Sequence, residues 1–180
     1  MGKLRQRLED ALRLYVRQSA WLNAKRQRET NGKKTDLPSR LEDMKAKGLA
    51  IAMPVNPAPY ITDWLYDIGP VVTGGMAMAR LEWRDIRAWE ESIGIKLAPW
   101  EARIIRRLSG EYLSMSMDAR EEACAAPYTD RAITARNEAP LTEAIRRQET
   151  LQERKEAFLK AKARGDKEAM DRALHPPAGD

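Results

Sequence analysis

The sequence predicts a mainly α protein: a small three-helix core flanked by a basic amphipathic N-terminal helix and a long charged C-terminal helix. Three observations carry this. Apolar residues recur at steps of three and four through much of the 180-residue chain, the spacing that lines one face of an α-helix. Prolines at helix-opening positions and glycines just past helix ends fall between the periodic segments. Charged residues make up 33% of the chain, above the ~25% of an average globular protein, which calls for helices with extended wet faces.

Residues 1–30 read as the basic helix. Over residues 1–34, ten Lys or Arg oppose three acids, while the whole chain carries only +5, so the positive excess belongs to this arm. Leu4, Leu8, Leu12, Tyr15, Ser19 and Leu22 recur at helical steps, predicting one helix over roughly 3–27. Its bases Arg5, Arg13, Arg17, Lys25, Arg26 and Arg28 form a candidate face for nucleic acid or an acidic partner. A solvated face is the simpler reading, because no stacking aromatics are interleaved with the bases. Asn31-Gly32-Lys33-Lys34 then breaks the helix.

Residues 31–59 read as a Pro- and Gly-containing linker, through Pro38, Gly48, Pro54, Pro57 and Pro59, with one short helix over Ser39 to Lys47. The apolar run Leu49 to Met53 fits a buried strap or packed coil equally. Residues 60–117 read as the core. Pro59 opens a helix carrying Tyr60, Ile61, Trp64, Leu65 and Ile68, and Gly69-Pro70 stops it. A loop follows over Val71 to Ala79, with Met76 and Met78 suited to adaptable contact. Leu81, Ile86, Trp89 and Ile93 stripe the next helix, and Gly94 stands where a left-handed cap is wanted. Pro99 opens a third, lined by Trp100, Ile104, Ile105, Leu108, Tyr112 and Met115, in which Gly110 hints at close packing.

Residues 118–140 read as a second linker, loosened at Pro127 and at Asn137 to Pro140, and 141–180 as a charged helix with a disordered tail. Ala144, Leu151 and Phe158 are seven apart, a stripe too thin for an independent coiled coil, and a break is expected near Gly165-Asp166.

The composition restricts chemistry. One cysteine, Cys124, permits no intrachain disulfide and fits a reducing cytoplasm. One histidine, His175, stands among prolines and glycine, where nothing orients it for a catalytic triad, and Cys/His zinc sites fail on the same count. Walker A and dinucleotide fingerprints are missing, and Gly74-Gly75 has neither spacing nor context for phosphate. Glu90-Glu91, Glu121-Glu122 and the Asp63/Asp67 pair read as solvent-facing acids, and Cys124 as a packing residue. No run approaches the ~18 apolar residues of a membrane span, and residues 1–17 are charged where an export signal would be apolar. A soluble, non-enzymatic protein without metal or cofactor is the expectation.

Four motifs stand in a fixed order: Trp64-Leu65-Tyr66 before Gly69-Pro70; Leu81-Glu82-Trp83-Arg84-Asp85-Ile86-Arg87-Ala88-Trp89; Gly94-Ile95-Lys96-Leu97-Ala98-Pro99-Trp100-Glu101; and Arg107-Leu108-Ser109-Gly110-Glu111-Tyr112-Leu113. Together they cover about a third of the chain, and this stretch resembles the tail assembly chaperones of long-tailed bacteriophages. Such proteins tend to carry Ser or Thr where Ala98 stands, which with Glu101 would complete a capping box. The resemblance implies a chaperone of virion assembly in the host cytoplasm, absent from the mature particle. It would coat the helical tape measure protein and recruit tail tube subunits, with self-association an open addition. A tape measure protein exposes amphipathic helices, and an aromatic, Met-lined groove covers such surface. Trp64, Trp83, Trp89, Trp100, Tyr112, Met76 and Met78 are the candidate groove residues. Trp64, Trp89 and Trp100 lie in apolar stripes and read first as core; Trp83, among Glu82, Arg84 and Asp85, reads as a partly wet contact residue. The competing reading is a phage DNA-handling or packaging protein acting through the basic arm.

Overall fold

The computed structural model describes residues 2–30, 32–74, 77–164 and 166–169. Met76, the break at Gly165 and the tail bearing His175 lie outside the described residues, as do the side chains of Ala144 and Leu151. The chain is mainly α, as the periodicity requires. It divides into two compact units, Met1–Ile133 and Thr134–Asp180. Among the described residues no helix is long and apolar enough to cross a membrane.

The first unit contains α1 (Gly2–Asn23), a hairpin of β1 (Lys25–Thr30) and β2 (Lys33–Ser39), α2 (Arg40–Ala46), α3 (Pro59–Ile68), a short hairpin of β3 (Val72–Gly74) and β4 (Ala77–Ala79), α4 (Trp83–Ile93), and α5 (Pro99–Asp118). The core is wider than the three helices expected of residues 60–117. Leu12 and Val16 of α1 join Ile61 and Leu65 of α3, Ile86 of α4, and Ile104, Ile105 and Leu108 of α5 in one buried cluster. Thus α1 is a wall of the core. Its buried stripe runs through Leu12, Val16 and Ala20, and Leu4 stands 77% exposed. Ala20 continues into a second cluster with Met115 and Ala119, against which Trp21 and Cys124 pack. Cys124 is a half-buried packing residue.

The expected helix over 3–27 ends at Asn23, and Lys25, Arg26 and Arg28 belong to a strand instead. β1 and β2 pair antiparallel, with Thr30 opposite Lys33 and only Asn31-Gly32 between them. Gly32 has φ +73°, a left-handed conformation that side-chain-bearing residues adopt at a cost, and Asn-Gly is the composition two-residue hairpin loops favour. The register slips between Lys25 and Arg26, leaving Pro38 without a strand partner. A proline, lacking an N–H, is tolerated at such a bulge. These strands are almost wholly polar and exposed, so the alternation that would mark them is missing.

Ser39 starts α2 with a complete capping box. Its Oγ accepts the Glu42 N–H at 3.2 Å, and its own N–H donates to Glu42 Oε2 at 2.8 Å. Glu42 is held below the usual carboxylate range, chiefly by that backbone N–H. The next residue, Arg40, is buried. Its Nη1 donates to the Ala119 carbonyl at 2.7 Å and its Nη2 to those of Glu121 at 2.8 Å and Glu122 at 3.2 Å, closing the C-terminal end of α5. The guanidinium lies 4.6 Å from the Trp21 ring centroid, and Trp21 Nε1 donates to the Cys124 carbonyl at 2.9 Å. Buried Gln18 ties down two irregular segments, donating to the Ala52 carbonyl at 2.9 Å and accepting the Tyr128 N–H at 3.1 Å. The run Leu49 to Met53 is packed coil.

The residue 60–117 elements follow their signals. Pro59 is at the first position of α3, Gly94 caps α4 at φ +72°, and Pro99 opens α5. Ala98 offers no side-chain oxygen, yet half the capping box survives: its N–H donates to Glu101 Oε2 at 2.7 Å. The segment read as a loop is the β3–β4 hairpin. Gly110 is not a close-packing site, because a Cβ there would meet Arg80 Cδ at an ordinary 3.9 Å. Gly110→Ala is therefore expected to stabilise the chain by about 0.5–1 kcal/mol, through lower entropy of the unfolded state; a lower urea midpoint would show hidden crowding.

α6 (Arg131–Arg164) begins at the end of the first unit and accounts for nearly all described residues of the second. It starts ten residues before the expected 141, because Asp130 Oδ1 accepts the N–H groups of Ala132 at 2.9 Å and Ile133 at 3.1 Å. Pro140 lies inside the helix. Its missing N–H costs one bond, and a long run of strong helix formers after it offsets that locally.

Candidate partner-binding face

Trp83 is the first residue of α4. The Glu82 N–H donates to Asp85 Oδ2 at 2.8 Å, fixing where the helix begins. A first-turn residue has no preceding turn to cover it, and Trp83 is 49% exposed. Arg106 of α5 holds its guanidinium 5.1 Å from the Trp83 ring centroid and donates to Glu82 Oε2 at 2.8 Å. That bond holds the Glu82 carboxyl below the usual carboxylate range. The ring is thus supported from beneath by a cation that is itself anchored.

The neighbouring hairpin is pinned at its base. Buried Ser109 of α5 donates to the Pro70 carbonyl at 2.7 Å and accepts the Leu81 N–H at 2.7 Å, one on each side of β3–β4. Met78, on β4, is half-buried. The rigid α5 therefore positions both Trp83 and the Met-bearing hairpin.

The other candidate aromatics face inward. Trp89 is buried and donates from Nε1 to Asp67 Oδ2 at 2.7 Å, so Asp67 is engaged by an indole. Trp64 is half-buried between Tyr60, edge-on at 4.9 Å, and Trp89 at 6.2 Å. Trp100 packs half-buried on the core, with the Arg5 guanidinium 5.8 Å from its centroid. Tyr112 bridges the two core clusters and meets Tyr66 edge-on at 6.3 Å. Burial raises the Tyr112 hydroxyl above its ordinary value and pushes Tyr66 up to about 12. Tyr66 is partly exposed, and its hydroxyl lies near Ser19 and Tyr15.

The basic candidates do not form one face. Arg13 Nη2 and Arg17 Nη1 both grip Glu111, at 2.8 and 3.0 Å. Arg28 makes a two-pronged pair with Glu122 at 2.7 and 2.6 Å, and Arg26 reaches the Pro38 carbonyl at 3.0 Å and Asp43 at 3.6 Å. Arg5 and Lys25 are exposed. Part of the arm's excess charge is met by Glu111, Glu122 and Asp43 from outside it, which composition by segment does not reveal. Arg106 was missed by sequence reasoning, because nothing local marks which side of α5 meets Trp83. No group of three potential metal-ligating side chains converges among the described residues. Comparison with protein-family models, with curated proteins and with solved structures returned no match.

Proposed function

We propose that this chain is a phage tail assembly chaperone that acts without catalysis, by covering amphipathic helical surface of the tape measure protein and assisting recruitment of tail tube subunits. The observation that supports this reading is Trp83: a large aromatic left half in water on a rigid helix, propped by Arg106 beside a Met-bearing hairpin. Exposed, preorganised aromatics of this kind are what protein-binding hot spots are made of. The other four candidate aromatics, Trp64, Trp89, Trp100 and Tyr112, pack in or against the core. The DNA-handling reading loses support from the pairing of Arg13, Arg17, Arg26 and Arg28 with acids.

Co-expression with the tape measure protein encoded in the same genome tests this. The wild-type chain is expected to keep that protein soluble, and Trp83→Ala to lose this effect while its own melting temperature moves little, since the ring is half exposed already. An equally insoluble tape measure protein with and without the wild-type chain sinks the proposal.

A further inference from the structure

A groove of about 650 Å³ lies between α1 and α5, beside Arg80 of the short segment that joins β4 to α4. Five guanidiniums converge on it, from Arg13, Arg17, Arg80, Arg106 and Arg107, and Gly110 leaves its floor open. The acids that meet them are fewer. Glu111 is shared by Arg13 and Arg17, Glu82 by Arg80 and Arg106, and Glu9 takes Arg107 at 2.7 Å. Asp10 meets Arg13 from outside the groove at 3.8 Å, so four acids face five guanidiniums and one positive charge is left over.

The surplus is concentrated where solvent reaches. Arg107 is 64% exposed and spends one Nη on Glu9, and Arg80 is 51% exposed on a stretched 3.4 Å contact to Glu82. Each guanidinium carries five donors, so most of theirs are uncommitted to these pairs. Arg106 ties the groove to the aromatic shelf: it lines the groove, supports Trp83, and its Nε is buried without a hydrogen-bond partner.

We infer that this groove recognises carboxylates of an acidic amphipathic helix whose apolar side packs on Trp83. The inference rests on the chaperone reading and names the chemistry of its partner. Glu111 displays the recognition mode within the chain itself, one carboxylate held by two guanidiniums. Glu9 and Glu111 divide the positive charge into separate spots, which suits carboxylates spaced along a helix better than the continuous charge of a nucleic-acid backbone.

Fluorescence anisotropy on the full chain, with two labelled helical peptides as probes, tests it. One carries leucines on one face and glutamates on the other; its twin has glutamine for every glutamate. The glutamate peptide is expected to bind more weakly as salt rises, and the glutamine twin to bind about tenfold or more weaker. Arg80→Gln with Arg107→Gln should weaken the glutamate peptide about tenfold or more. Gly110→Leu, which fills the floor and removes no charge, should weaken it as well. Arg5→Gln, outside the groove, should not. Equal binding of the two peptides, or no change on removing Arg80 and Arg107, overturns the inference. Displacement of the peptide by duplex DNA or by inorganic phosphate more readily than by unlabelled peptide also overturns it. Tape measure solubilisation that persists without peptide binding sinks the groove alone; loss of both sinks the chaperone reading too.

Discussion

Leu12→Ala is expected to destabilise the chain by about 3 kcal/mol, the ordinary cost of emptying a leucine-sized space in a close-packed core. Leu12 is fully buried among α3, α4 and α5 side chains although it lies more than forty residues from the nearest of them in sequence. Its neighbour on the same helix, Leu4, is mostly in water, and Leu4→Ala should stay within about 0.5 kcal/mol of wild type. Urea denaturation of both variants, read at constant m-value, separates the two roles. Were Leu12→Ala no more harmful than Leu4→Ala, α1 would be an arm on the surface and not a wall of the core.

Arg40→Met should cost a similar amount, about 3 kcal/mol, for a different reason. Methionine keeps much of the aliphatic stem but donates nothing. The buried Ala119 carbonyl and the part-buried Glu122 carbonyl then lose this donor, and the Glu121 carbonyl keeps only the Cys124 N–H; a buried carbonyl left so costs about 1–3 kcal/mol. The stack on Trp21 goes with them. Arg40→Lys should recover only part, because one ammonium cannot span three carbonyls in the plane a guanidinium fits. Arg28→Gln is the control: its pair with Glu122 is exposed, and exposed pairs contribute little to stability. Denaturation midpoints in the order wild type, Arg28→Gln, Arg40→Lys, Arg40→Met are expected. An Arg40→Met variant as stable as Arg28→Gln would mean that water replaces the guanidinium freely.

Particular elements show what could be read in advance. The helix opened by Pro59, the Gly94 cap and the Pro99 start were legible because each is a local backbone preference stated by the residue itself. So was the exposure of Trp83, whose charged neighbours mark the wet side of a helix start. The β1–β2 hairpin was not, because polar, exposed strands carry no hydrophobic period; its one clear sign was Asn31-Gly32, which periodicity treats as a mere break. The start of α6 was also missed, since Pro140 outweighed the cap supplied by Asp130 ten residues earlier.

The charge arithmetic shows a deeper limit. Segment by segment, residues 1–34 look like a free cationic arm. In the folded chain Arg13, Arg17 and Arg28 find acids more than ninety residues away, and Arg13 and Arg17 line a groove with Arg80 and Arg107 from the other half of the first unit. What the amino-acid order settled alone was helical character, the boundaries marked by Pro59, Gly94 and Pro99, and which aromatics are apolar-stripe residues, because those depend on dihedral preferences and spacing within a few turns. Which helices share a core, which charges cancel and where an open cationic groove remains were decided by packing at long range, because burial and ion pairing depend on distances in space that no local spacing encodes.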